Sequence, residues 1–148
     1  MNTQADIGRL YEDRVREWAR KSRNDARLVP ADLSVRRTSP VCGSAVTLDI
    51  CHNQEVITAL GFQVRACTLG MASTAVVVAK APECSFAEIH EVAIMLSRLL
   101  AGDDVHFPAR WDALEMFVAA RSFKTRHGSI MLPFQVLGEA AYQLDFVK

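Results

Sequence analysis

The sequence predicts an α+β fold, a small antiparallel β-sheet packed against helices, with residues 1–148 forming one domain. Three observations carry the prediction. Two alternating apolar runs, 45–52 and 56–64, flank the polar pair Asn53-Gln54, as in a β-hairpin. Five other stretches carry apolar residues at helical spacing. The composition is that of a globular chain: 148 residues, 50% hydrophobic, 23% charged, with seven Gly and five Pro. A chain of this length buries roughly two-thirds of its unfolded surface.

Ile7, Leu10, Tyr11, Val15, Trp18 and Ala19 make an amphipathic first helix of about four turns. Residues 24–40 read as an irregular, Arg-rich connection, because Pro30 and Pro40 interrupt regular structure. In the first strand Val46, Leu48 and Ile50 share one face, with Thr47 and Asp49 on the other. In the second, Val56, Leu60, Phe62 and Val64 share a face, and Gly61 marks a bulge. Residues 68–80, rich in Ala, Met and Val, form a helix buried on most sides. Ser85 and Glu88 have capping-box spacing ahead of a helix carrying Ile89, Val92, Ala93, Leu96 and Leu99. Pro108 precedes a further helix at about 109–121, with Trp111, Leu114, Phe117 and Val118 on one face. Pro133 suits the first turn of a last helix bearing Val136, Leu137, Ala140, Ala141 and Leu144.

Seventeen basic and seventeen acidic residues cancel, which excludes an affinity dominated by nucleic-acid phosphates. The charge is unevenly spread: nine Lys/Arg against six Asp/Glu in 1–40, four against nine in 41–120, four against two in 121–148. The longest apolar stretch, 71–79, is too short to span a bilayer, which takes about 20 residues. Asp6, Glu12, Asp13 and Glu17 make the opening unlike a signal or transit peptide. The expectation is a cytoplasmic protein without membrane partners, whose four cysteines are thiols, ligands or core residues rather than disulfides.

The hairpin places two of those cysteines. A turn at 53–54 makes opposing residue numbers sum to roughly 107, so position 42 faces the neighbourhood of 65. Cys42, just before the first strand, and Cys67, just after the second, then emerge at the same end of the sheet. Cys67 also lies where the chain enters a helix, whose unpaired N–H groups favour a thiolate. Without a CxxC motif, spacing alone leaves packed core cysteines as an equal reading. Cys51 belongs to a strand, and Cys84 fits a hydrophobic staple ahead of Ser85. His52, His90 and His106 have no ligand at metal-binding spacing.

At these residues the chain resembles a known family. Pro40-Val41-Cys42-Gly43-Ser44-Ala45-Val46-Thr47-Leu48 is similar to the N-P-x-C-G-D-x-(V/I)-T-L signature of NifU N-terminal/IscU-type iron–sulfur scaffold proteins. Residues 62–73 resemble that family's F-x-G-x-G-C-A-x-S-x-A-S segment, and 126–137 its R-x-x-C-A-x-L-P-W-x-x-L segment. Leu10-Tyr11 through Arg23-Asn24 echoes the opening helix and P-R-N stretch. The extra segment 102–122 resembles the insertion of the SufU-like branch. The resemblance implies a SufE/NifU-like fold and a role in iron–sulfur cluster assembly, as scaffold or sulfur acceptor, with a cysteine desulfurase and other assembly proteins as partners. It implies Cys42 as sulfur acceptor and Cys42 and Cys67 as ligands of zinc or an iron–sulfur cluster.

Several family positions differ. The aspartate after C-G is Ser44, the third cysteine is Ser129, and the glycines before the second cysteine are Val64 and Ala66. The histidine that precedes the third cysteine in IscU-type members is Gly128, with His127 one place earlier. Serine hydroxyls are poor ligands beside thiolates, so only His127 offers a third metal ligand, against the alternative of a solvent-facing loop histidine. The expected cofactor is therefore weakly or transiently held zinc or cluster, or none in the isolated protein. The alternative function is a non-catalytic relative that binds proteins without carrying metal or sulfur. A Cys-His enzyme ranks last, because no such pairing follows from spacing.

Overall fold

The computed structural model describes residues 4–146, with side chains from residue 8 onward, so the expected apolar contribution of Ile7 lies outside the described side chains. Helix α1 (Gln4–Lys21) is followed by strands β1 (Leu33–Thr38), β2 (Ala45–Asn53) and β3 (Val56–Arg65). Helices α2 (Thr68–Lys80) and α3 (Phe86–Ala101), a 3₁₀ segment (Ala109–Ala120), a short 3₁₀ turn (Lys124–Arg126) and α4 (His127–Gln143) complete the order. The sheet is antiparallel, in the order β1-β2-β3.

The expected α+β architecture is present, with one more strand than the hairpin. Strand β1 lies within the stretch expected to be irregular, between the two prolines rather than across them. Only Val35 of this strand is buried, so it offers little apolar alternation to read. It is held by its register, Leu33 opposite Ile50 through Thr38 opposite Ala45. Val46, Leu48 and Ile50 are fully buried on the face of β2 that meets the helices. Asp49, on the other face, is just as deeply buried. Its carboxylate accepts from Arg27 Nε at 2.8 Å and Nη2 at 2.9 Å, Leu28 N at 2.9 Å and Ser34 Oγ at 2.6 Å. These bonds tie the chain before β1 across the sheet and hold the Asp49 carboxyl far below the usual carboxylate range, the Arg27 hydrogen bond contributing most.

The bulge lies elsewhere than Gly61. Cys51 pairs with Ala59 and His52 with Ile57, which leaves Thr58 as the extra residue. Gly61 serves a different purpose: a Cβ there would collide with the backbone nitrogen of Leu28. The chain closes onto β3 at this point through paired hydrogen bonds between Ala26 and Phe62. The register sum is larger than expected because the turn falls at Gln54-Glu55, Gln54 taking a positive φ of 53°.

Helix α2 spans the predicted residues and is buried from Ala72 through Val77. Helix α3 has its capping box, Ser85 Oγ accepting from Glu88 N, and ends on Gly102 in the left-handed region. The inserted helix is 3₁₀ rather than α, and its sequence shows why. Trp111, Leu114, Phe117 and Ala120, all buried, recur every third residue, which lines one face of a helix with three residues per turn. Val118 is only half-buried, and Ala120 takes its expected place. The last helix starts at His127, so Pro133 sits in its interior rather than its first turn. Lacking an N–H, Pro133 leaves the Ser129 carbonyl without its helical donor. Leu132, Pro133 and Phe134 are all buried at this point of the helix. Among the described residues no helix is long and apolar enough to cross a membrane.

Candidate functional site at the cysteine end of the sheet

Two turns and two helix starts meet at one end of the sheet. The β1–β2 connection is closed by Ser39 N donating to the Ser44 carbonyl at 2.7 Å and Gly43 N donating to the Ser39 carbonyl at 2.9 Å. Gly43 has a φ of +71°, which a side chain would strain, and this tight reversal displays Cys42 at its tip. Arg65 of β3 pairs with Ala45, so the β3–α2 junction with Cys67 lies at the same end. Cys67 is the N-cap of α2. The first turn of α4 brings in Ser129, which is fully buried. Gly70 permits that approach, since a Cβ there would strike the Ser129 hydroxyl.

The side chains form a continuous polar chain. Cys42 Sγ lies 3.5 Å from Ser39 Oγ and 3.1 Å from Ser44 Oγ. Ser44 Oγ lies 3.0 Å from Ser129 Oγ, and Cys67 Sγ donates to Ser129 Oγ at 3.6 Å. These contacts in series keep the two sulfurs within about 10 Å, roughly two strand spacings. All three serines are buried, whereas both cysteines are partly exposed. The hydroxyls of Ser39 and then Ser44 can donate to a Cys42 thiolate, lowering its pKa to about 7 against a smaller opposing effect of burial. Cys42 thereby carries more thiolate at neutral pH than an ordinary cysteine, which suits it to attack at sulfur.

His127 goes elsewhere. Its Nε2 is 2.9 Å from the Ala120 carbonyl, fastening the start of α4 to the end of the 3₁₀ segment. Among the described residues no three His, Cys, Asp or Glu side chains converge as a metal group, so His127 does not complete a ligand set with Cys42 and Cys67. Cys84 is buried near the start of α3, and desolvation raises its pKa. Cys51 Sγ faces the Pro30 carbonyl at 3.7 Å, remote from the pair. Sequence reasoning missed Ser39, whose only signal was its place in a Ser-Pro-x-Cys-Gly-Ser turn. It noticed Ser44 and Ser129 as absent ligands, not as the hydroxyl bridge between the cysteines.

No protein-family profile and no curated protein sequence matches the chain. Solved structures do. A nitrogen-fixing NifU-like protein (N-terminal) from Brucella abortus superposes with a TM-score of 0.85 at 25% identity, over 96% of this chain and 99% of that one. A candidate iron–sulfur cluster assembly scaffold protein for the SUF system, from thermophilic Fervidobacterium islandicum AW-1, gives 0.77 at 16% identity, over 86% and 93%. The structure of a hypothetical protein also gives 0.77, at 20% identity, over 90% and 97%. The three-stranded sheet, its helices and the near-complete two-way coverage give the chain the fold of a NifU-like N-terminal domain, in line with the resemblance of its sequence to NifU N-terminal/IscU/SufU-type proteins.

Proposed function

We propose that this protein serves iron–sulfur cluster assembly as a sulfur acceptor, with Cys42 receiving sulfur from a cysteine desulfurase. The observation that carries the reading is the Cys42 sulfur within hydrogen-bonding distance of Ser39 and Ser44, displayed on a turn and linked through Ser44 and Ser129 to Cys67. The reaction needs no oxidant. The Cys42 thiolate attacks the terminal sulfur of the donor's cysteine persulfide, the donor S–S bond breaks, and the donor cysteine leaves as a thiolate. A new S–S bond joins the transferred sulfur to Cys42. Ser39 and Ser44 stabilise the attacking thiolate, and Cys67 supplies a second thiol beside the product.

The donor set does not fit a resident zinc or cluster. Two thiols and two hydroxyls engaged with one another lack the three or four strong ligands such centres require. That mismatch favours sulfur acceptance over stable cluster storage. It also supports a second reading, a family relative that binds its partner without transferring sulfur. Persulfide labelling after incubation with a cysteine desulfurase and cysteine separates the two. The expected result is label in the wild type and in Cys67→Ser, and none in Cys42→Ser. Equal label in all three would refute the assignment to Cys42, and binding without label would favour the second reading.

A further inference from the structure

We propose that the groove between α1 and the start of α2 is the docking surface for an acidic face of the sulfur-donating protein. The groove has a volume of about 320 Å³ and is lined by Arg16, Ala19, Arg20, Arg23, Thr68 and Met71. Arg16 and Arg20 sit at i and i+4 on one face of α1, and Arg23, just past its end, lines the same groove. Arg16 is partly neutralised by Asp13 at 2.9 Å and Glu12 at 3.9 Å. Arg20 and Arg23 form no ion pair among the described residues and stand exposed. No acidic side chain lines the groove. Thr68, on its far wall, directly follows Cys67 and opens α2, which has no side-chain cap and no acidic residue in its first turn. The positive end of α2 therefore adds to the guanidinium charge.

This positive strip lies at the C-terminal end of α1 in a chain with no net charge, while exposed Glu12, Asp13 and Glu17 lie further back along the same helix. Arg65, at the end of β3, and Arg126, at the N-cap of α4, are also exposed, on elements that meet at the cysteine end. The acidic excess lies in residues 41–120, including exposed Glu88, Glu91, Asp103 and Asp104 on and just after α3. An acidic partner is attracted to the arginines of this groove, and the acidic side chains on and after α3 disfavour the opposite approach, so the field biases the encounter before contact. Arginine forks pair bidentately with carboxylates, which adds register to attraction. This partner assignment rests on the sulfur-acceptor reading above, and the experiment below distinguishes the failure of each.

Binding of the full-length protein to a purified cysteine desulfurase is measured at low and high salt, for wild type, Arg20→Glu/Arg23→Glu and Arg20→Gln/Arg23→Gln. Arg98→Glu on α3 serves as a charge-reversal control away from the site. Circular dichroism verifies that each variant is folded, and direct labelling of Cys42 by inorganic polysulfide verifies that the thiol is intact. The charge-reversed pair is expected to slow association at least about tenfold at low salt. The neutralised pair should slow it less, the control should match wild type, and high salt should compress these differences. Equal, salt-independent binding by all four proteins would overturn the groove as the docking surface and leave the sulfur-acceptor reading standing. A wild type that binds no desulfurase while polysulfide still labels Cys42 would overturn both the partner and the docking assignment.

Discussion

Removing the hydroxyls around Cys42 should change its reactivity in opposite directions at neutral and high pH. Ser39 and Ser44 are the two largest influences that lower the Cys42 pKa to about 7. Ser39→Ala/Ser44→Ala should return it towards the ordinary thiol value of about 8.5. At pH 7 the thiolate fraction then falls from about one half to about 3%, roughly a sixteenfold loss. The more basic thiolate is intrinsically the better nucleophile; a Brønsted slope of about 0.5 restores roughly fivefold to sixfold. The net expectation is about threefold slower disulfide exchange at pH 7 and about fivefold faster exchange at pH 9.5, where both proteins are ionised. The assay is reaction with a small disulfide followed by peptide mass spectrometry, which resolves Cys42 from Cys51, Cys67 and Cys84. Losing the Ser44–Ser129 contact should cost about 1 kcal/mol of stability, so the fold persists. A wild-type midpoint near 8.5, or rate curves for the two proteins that never cross, would refute the reasoning.

Asp49→Asn should lower stability by about 2–3 kcal/mol, because a carboxylate that accepts four hydrogen bonds is replaced by an amide that cannot accept them all. The Asp49 carboxyl is depressed in the folded protein, so its stabilisation is complete above the unfolded value of about 3.9 and is lost as pH falls towards the folded value. Urea titrations at descending pH should show a smaller acid-induced loss in the variant than in wild type; parallel losses would contradict this. Gly61→Ala should cost about 1–3 kcal/mol, since its methyl meets the Leu28 backbone, and thermal unfolding would reveal it. Ser44→Asp/Ser129→Cys supplies two anionic donors beside Cys42 and Cys67 and should raise zinc affinity by orders of magnitude in competition with a chromophoric chelator. Tight stoichiometric zinc in the unaltered protein would show that a ligand has been missed.

Local chemistry carried much of this fold into the sequence. Alternation at Val46, Leu48 and Ile50 gave β2, and the Ser85–Glu88 pair gave the start of α3, because both signals act within a few residues. The period of three in Trp111, Leu114, Phe117 and Ala120 was legible too, but an α-helical reading passed over it. Strand β1 was not legible: with Val35 alone buried, its place comes from pairing with β2 and not from any apolar alternation of its own. The role of Gly61 was hidden for the same reason, since the obstacle at its Cβ position is the backbone of Leu28. At the site, the hairpin placed Cys42 and Cys67 at one end of the sheet through geometry the sequence encodes. Which groups surround them was decided by the packing of α4 on α2, through Gly70 and Ser129, and by the turn that buries Ser39. That packing turned His127 to Ala120 and left a serine bridge where sequence reasoning sought a metal ligand. A sequence specifies near neighbours through periodicity and capping; the hydroxyls of one turn and of a helix more than eighty residues away acquire a shared role only when tertiary contacts bring them within hydrogen-bonding distance.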